Sequence, residues 1–165
     1  HPALEKLRSD SFSFAERLIT PGNNLLVKAS HQLEIIAEID APVNATFGFK
    51  VGRNPDNGEE TIISFDIKAQ KMIIDQSKMS KDDRFEKRIE TGDLTIPTNQ
   101  PVKIQLFIDG SVIEGFINDQ MAFTTRIFPT SSNSKQLVLF SEKETIKLLG
   151  LKGWELKGSD NKSAF

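Results

Sequence analysis

Hydrophobic residues recur at every second position through most of this chain, which is the period of β-strands with one buried face. In residues 33–39, Leu33, Ile35 and Ile39 alternate with polar side chains, and only Ile36 interrupts the alternation. Residues 102–108 repeat the pattern. Segments of this kind, separated by polar turns, predict about eleven or twelve short strands and very little helix.

The turns between these segments favour hairpins. Residues 53–58 and 69–70 supply the Asn, Pro and Gly or the short polar pair that turns use. Asp109-Gly110 predicts a tight hairpin in which Gly110 takes a positive φ, and residues 118–120 predict the next turn. Residues 102–128 should therefore form a three-stranded meander.

The strands predict an all-β fold, a two-sheet antiparallel β-sandwich of the concanavalin A-like or jelly-roll type. At most one helical turn is expected, within Pro2–Arg8. Eight residues at the apolar phase should point into the core: Leu33, Ile35, Phe47, Phe49, Phe65, Ile104, Leu106 and Ile108.

The length of 165 residues predicts one sandwich domain, residues 11–160, with a frayed tail at 161–165. The charged stretch 78–90 is interpreted as a solvated loop or edge. The chain begins with His1 rather than Met, so we expect cleavage, trimming or design to have made this terminus. No apolar run is long enough to span a membrane, and a net charge of -2 argues against nucleic acid as a partner.

Few residues are suited to cofactor or metal chemistry. Cysteine is absent, so no disulfide, thiolate metal site or cysteine nucleophile is expected. The two histidines, His1 and His31, are too few for an evident metal cage or catalytic triad. Gly48 and Gly52 lie within a strand pattern and do not form a phosphate loop. We therefore predict no metal site and no cofactor site.

Paired carboxylates and exposed aromatic rings are the remaining candidates for glycoside chemistry. Asp109 and Glu114 form a tempting pair, although their turn and strand positions favour structural roles. Asp66 and Asp75 stand at strand ends, where Asp accepts hydrogen bonds from turn amides. Trp154 is the single Trp and Tyr is absent. The twelve Phe are interpreted as core filling, and Trp154 is interpreted as a packed residue.

One block carries a family resemblance. Residues 103–119, followed by Thr-Arg-Ile-Phe-Pro at 125–129, resemble the C-terminal sandwich of glycoside hydrolase family 32, which includes levanases, inulinases and invertases. The matching positions are Asp109, Ser111, Glu114, Phe116, Asn118, Asp119, Thr125, Arg126, Ile127 and Pro129. Segments 33–39, 47–51, 60–61 and 72–77 follow the family's order. The chain departs from the family at Gln76 and Gly110, where Arg is frequent, at Gly115, where Val is frequent, and at Gln120, where Gly is frequent.

The resemblance implies that catalysis belongs to an N-terminal five-bladed propeller of the same polypeptide, with residues 1–10 as the linker from it. The family's catalytic motifs, Trp-Met-Asn-Asp-Pro-Asn-Gly, Arg-Asp-Pro and Glu-Cys, do not occur in this sequence. No catalytic residue is therefore assigned.

The first hypothesis is a non-catalytic module that braces the propeller of a β-fructosidase, borders its cleft or makes homo-oligomer contacts. The alternatives are an independent lectin-like module, with fructan or galactan as its ligand, and an autonomous sandwich hydrolase. An exported parent, extracellular or periplasmic, is expected.

Overall fold

A computed structural model describes residues 2–158 and confirms the two-sheet antiparallel sandwich. One short helix and thirteen strands occur in this part of the chain. Their bounds are α1 Pro2–Glu5, β1 Arg8–Phe14, β2 Arg17–Ile19, β3 Leu25–Ala29, β4 Gln32–Asp40, β5 Thr46–Asn54, β6 Glu59–Asp66, β7 Lys71–Lys78, β8 Ile89–Asp93, β9 Val102–Asp109, β10 Val112–Ile117, β11 Met121–Arg126, β12 Gln136–Ser141 and β13 Ile146–Leu156.

The strands form a seven-stranded and a six-stranded sheet. The first has the order β1-β13-β4-β9-β10-β11, with β2 also pairing with β13, and the second has the order β3-β12-β5-β6-β7-β8. The predicted meander is β9-β10-β11. Across the centre of the first sheet, Ile35 of β4 lies opposite Leu106 of β9 and Gly153 of β13. None of the helices in the described residues is long and apolar enough to cross a membrane.

The core lies between the two sheets. All eight residues predicted to point inward are buried, with exposed fractions of 4% or less. The rings of Phe47 and Phe65 meet there with centroids 5.6 Å apart. Each such side chain contributes about 1.5–3 kcal/mol through removal of apolar surface from water, so the period-two pattern fixes which faces meet.

Two strand assignments differ from the sequence pattern. β8 lies at the edge of the six-stranded sheet with a mostly exposed burial pattern, so no apolar alternation marks it. Residues 146–149 and 154–156 are parts of one continuous strand, β13, rather than separate strands. Its register with β4 shifts between Leu148 and Gly150, which explains the break in alternation.

The hairpin between β9 and β10 turns one residue later than predicted. Gly110 has the expected positive φ of 58°, but Asp109 pairs with Val112, so the two loop residues are Gly110 and Ser111. Consecutive positive φ values, 51° and 55°, occur instead at Asn118 and Asp119 in the following turn. Glycine at the first loop position is the pattern of a II′ hairpin.

The predicted 1–10 linker and the charged 79–88 loop are both partly held by the sandwich. β1 begins at Arg8, inside the predicted 1–10 segment. The 79–88 segment is the expected loop, but Met79 and Ser80 are buried, with exposed fractions of 4% and 3%. The predicted tail at 161–165 and His1 lie outside the described residues, and the 11–160 boundaries stay a prediction.

Candidate functional site

The carboxylates singled out by sequence do not form an enclosed site. Asp109 and Glu114 are both exposed, and Asp109 accepts a hydrogen bond from the Gln32 amide at 2.9 Å. Asp66 accepts from the backbone N–H of Ala69, and Asp75 accepts from that of Ser77, each at 2.9 Å. Asp66 therefore has the turn-stabilising role that its position predicts. Asp75 instead lies within β7, beside a register shift against β6, and not at a strand end.

His31 and the strand glycine Gly48 are also accounted for structurally. His31 is exposed, and its Nε2 lies 2.9 Å from the carbonyl oxygen of Ser132. Within residues 2–158, no group of three or more His, Cys, Asp or Glu is arranged to hold a metal ion. A Cβ on Gly48 would lie 1.9 Å from the carbonyl oxygen of Ile63, so this glycine allows β5 to approach β6.

A buried ion pair occupies the outer side of the seven-stranded sheet. Arg8 donates from Nε to Oε2 of Glu34 and from Nη2 to Oε1, both at 2.7 Å, and the Gln105 amide also donates to Oε1 at 2.9 Å. The guanidinium lies 3.9 Å from the ring centroid of the half-buried Trp154. We call these four residues the Arg8 clamp.

The burial of Glu34 makes its pairing with Arg8 important for stability. Glu34 is 1% exposed although its neighbours Leu33 and Ile35 point into the core on the opposite face. The hydrogen bond to Glu34 raises the pKa of the Arg8 guanidinium. Since the bidentate geometry satisfies both oxygens, removal of Arg8 would leave an unpaired buried charge.

A second buried carboxylate, Glu59, has no cation among its hydrogen-bond partners. Its Oε1 accepts from the backbone amides of Lys81, at 3.0 Å, and Thr130, at 2.9 Å, and also from the Thr130 hydroxyl. Its Oε2 accepts from the Ser134 hydroxyl and from the Asn57 amide. Glu59 is 0% exposed. The carboxylate therefore joins β6 to the 79–88 loop and to the segment after β11.

The charge on Glu59 is stabilised by these donors. Burial would raise the pKa of the Glu59 carboxyl, but the hydroxyls of Ser134 and Thr130 and the amides of Thr130 and Lys81 outweigh it and lower the pKa to about 2. Multiple hydrogen bonds to the ionised form have this effect. We call Glu59 and its four donor residues the Glu59 hub.

A groove opens in front of the hub, at the end of the sandwich. It has a volume of about 600 Å³ and is called the end groove. Its walls include two stacked rings, Phe85 and Phe128, whose centroids are 4.5 Å apart at an interplanar angle of 7°. The complete lining is His31, Asp82, Phe85, Gly110, Ser111, Ile127, Phe128, Pro129, Thr130, Ser131 and Ser132.

Sequence reasoning missed both buried carboxylates and these surface rings. Glu34 occupies the outward phase of an alternating strand, and Glu59 is the first residue of β6, so neither position predicts burial. The interpretation of all Phe as core filling was wrong for Phe85 and Phe128, which lie outside the core cluster and line the end groove. The packed interpretation of Trp154 is confirmed by the Arg8 contact.

Comparisons with known proteins agree on one family. Residues 3–155 match the family described as the C-terminal domain of glycosyl hydrolases family 32. A levanase of Bacillus subtilis (strain 168) is 32% identical over 155 residues, which make up 90% of this chain and 22% of that protein.

Two solved structures share the fold. Fructosyltransferase from A. japonicus has a TM-score of 0.83 at 16% identity, over 98% of this chain and 28% of the other. Fructan 1-exohydrolase IIa from Cichorium intybus also has a TM-score of 0.83, at 17% identity, over 94% of this chain and 37% of the other. The chain spans less than a quarter of the length of the levanases it matches.

Proposed function

This chain belongs to the family of C-terminal domains of family 32 glycosyl hydrolases, and from that membership we propose that it is the non-catalytic module that braces the catalytic propeller of a β-fructosidase. The parent enzyme would split the glycosidic bonds of fructans or sucrose, as the names of the levanase and fructan exohydrolase relatives suggest. Catalysis would belong to the N-terminal five-bladed propeller of the same polypeptide.

The observation that carries this proposal is the Arg8 clamp. A flexible tether needs no buried contact, whereas here the first strand residue is held by Glu34 on one side and by Trp154 on the other. The backbone is fixed at the same point, because Lys157 N–H donates to the Leu7 carbonyl at 2.8 Å. The direction in which the chain reaches the sandwich is thus set by buried, charged contacts.

The segment before the clamp has the character of a contact with another domain. Helix α1, Pro2–Glu5, has no buried residue, and Leu4 is 38% exposed. A propeller packed against this helix would cover Leu4 and would be held in one orientation by the clamp behind it. Interfaces between domains of one chain typically bury about 600–1,500 Å², which is enough to stabilise both partners.

The alternatives receive less support from the geometry. The lectin-like hypothesis would be favoured by a solvent-facing Trp154 or by an aromatic concave sheet. The ring of Trp154 instead lies beneath Arg8. The autonomous hydrolase hypothesis asked for two carboxylates converging in a groove, and Asp109 and Glu114 are exposed on the sheet surface. For the parent enzyme we propose an extracellular or periplasmic location, because a polymer such as levan is met outside the cell.

The test uses the chain and the separately produced catalytic domain. The chain alone should release no reducing sugar from levan, inulin or sucrose, and its addition should raise the unfolding temperature of the catalytic domain. The Arg8→Met chain should stabilise the catalytic domain less, whereas Glu114→Gln, a change at an exposed carboxylate, should act like the original. Sugar release that Asp109→Asn or Glu114→Gln abolishes, or the absence of any stabilisation, would refute the proposal.

A further inference from the structure

We propose that the end groove is a binding site for a neutral oligosaccharide, with a short fructan chain as its ligand. The proposal rests on the proposed function only in choosing fructose units over other sugars. Its volume of about 600 Å³ lies within the range of about 300–1,000 Å³ that is common for ligand sites.

The lining of the groove has both surfaces that a sugar requires. A sugar ring presents C–H groups on its faces and hydroxyl groups at its edge. The parallel rings of Phe85 and Phe128, both half-buried, offer an apolar wall to the first. The hydroxyls of Ser111 and Ser132 can donate to and accept from the sugar hydroxyls, and the Thr130 hydroxyl, whose proton is donated to Glu59, can accept.

The charges of the lining favour a neutral ligand over an anion. Among the described residues, no Lys or Arg lines the end groove. The one carboxylate, Asp82, accepts from Nε and Nη2 of Arg84 at 3.0 and 2.6 Å, which cancels its charge while leaving the side chain 20% exposed. A phosphate or sulfate would therefore find no Lys or Arg side chain in the lining of this groove.

The groove is built on a rigid support. One wall belongs to the 79–88 loop and another to residues 127–132, and both are joined to Glu59 through the amides of Lys81 and Thr130. The stacked pair links the same two segments a second time, since Phe85 is in the loop and Phe128 follows β11. A site whose walls are already fixed loses little conformational entropy when it binds.

The groove also lies at the end of the sandwich where the chain enters from α1. At this end of the seven-stranded sheet, Arg8 of β1 pairs with Leu156 of β13. Gln32 of β4 pairs with Asp109 of β9 at the same end, and the groove residues Gly110 and Ser111 follow Asp109 in the chain. Four strand spacings of about 4.8 Å separate β1, where the chain enters, from β10 beside the groove, which is about 19 Å. An oligosaccharide bound there would lie beside the proposed catalytic domain and would hold a polymer near it.

The test is a titration of the isotope-labelled chain with a short levan-derived oligosaccharide, followed by NMR. Saturable amide shifts should map to Phe85, Ser111 and residues 128–132, with a Kd of about 1 mM, as expected for a shallow site. Phe85→Ala should weaken binding about five- to tenfold. Phe85→Leu, which keeps apolar volume in the loop, should weaken it similarly because the flat ring face is lost.

The matched control is Phe107→Ala. Phe107 packs edge-to-face against Phe116 on the outer face of the seven-stranded sheet and does not line the groove, so this variant should bind as the original does. Shifts that fail to saturate, that map to Phe107 instead, or that inorganic phosphate reproduces would overturn the proposal. Because the catalytic domain is absent from this titration, its result is separate from the test of bracing.

Discussion

The Arg8 clamp and the Glu59 hub hold two different parts of the chain with two different chemistries. Both carboxylates are buried, at 1% and 0% exposure. Glu34 is neutralised by a guanidinium that reaches it from the N-terminal segment. Glu59 is held only by hydroxyls and amides, which come from the 79–88 loop, from residues 130–134 and from Asn57.

The difference shows what a single carboxylate can fix. An ion pair joins two elements, here β1 and β4, and would suit the attachment of a segment that continues into the proposed catalytic domain. A carboxylate with five neutral donors joins several loops at once and suits the construction of a groove wall. The clamp therefore bears on how the sandwich is attached, and the hub bears on what the sandwich can bind.

The largest effect is expected at the hub. Glu59→Ala leaves the donors of Lys81, Thr130 and Ser134 without their acceptor and should lower the free energy of unfolding by about 4 kcal/mol. Glu59→Gln, which keeps the shape, should cost about 2 kcal/mol. Urea unfolding of both variants provides the measurement, and a cost below about 1 kcal/mol for Glu59→Ala would show that the hub is not a stabilising centre.

The second prediction separates the hub from the clamp by pH. The pKa of Glu59 is lowered from 4.5 to about 2 in the folded chain, so its contribution is complete above pH 4.5 and is lost as the pH falls towards 2. The loss amounts to about 3 kcal/mol. Urea unfolding between pH 7 and this window should be less pH-dependent for Glu59→Gln than for the original chain.

The same pH comparison contains its own control. The pKa of Asp82 is also lowered to about 2, by Arg84, but Asp82 is present in both proteins and its effect cancels. Equal pH dependence of the two proteins would contradict the role assigned to the donors around Glu59.

The third prediction concerns the clamp. Arg8→Met leaves Glu34 buried and unpaired, and we expect a loss of about 2 kcal/mol, less than for a fully buried pair because the Arg8 side chain is 23% exposed. The double variant with Glu34→Leu should regain most of this loss. A double-mutant cycle by urea unfolding measures the coupling, and purely additive effects would exclude a specific ion pair.

The smallest effect should come from the exposed carboxylates that the sequence made conspicuous. Asp109→Asn and Glu114→Gln should each change the free energy of unfolding by less than about 0.5 kcal/mol, because solvent already screens both groups. Thermal unfolding checks this contrast directly. A loss of unfolding free energy as large as that of Arg8→Met would show that exposure does not distinguish these carboxylates from the buried Glu34 and Glu59.

The buried carboxylates show which parts of the structure could be predicted from the sequence and which could not. Period-two alternation located the core, since burial of Ile35 or Phe49 follows from which face of a strand they occupy. The same rule placed Glu34 on an outer face but could not show that Arg8 and Trp154 cover that face. The five donors around Glu59 come from segments up to 75 residues away, so only the folded chain brings them together.

The resemblance of residues 103–119 and 125–129 predicted the correct family and fold. The family's catalytic motifs do not occur in this sequence, so they identified no site residue. The end groove had no sequence signal, because Phe85 lies in a charged loop and Phe128 ends a strand pattern. Its two rings become a pair only when the 79–88 loop folds back against the end of β11.

The most direct test of the proposal that the sandwich braces a catalytic domain through its first strand is the half-life of fructan-hydrolysing activity in the proposed polypeptide that joins this chain to a catalytic propeller. The measurement compares Arg8→Met with Glu114→Gln at a temperature at which both sandwiches remain folded. We predict a shorter half-life for Arg8→Met than for the original polypeptide and an unchanged half-life for Glu114→Gln. Equal half-lives of the two variants would contradict the proposal that the first strand braces the catalytic domain.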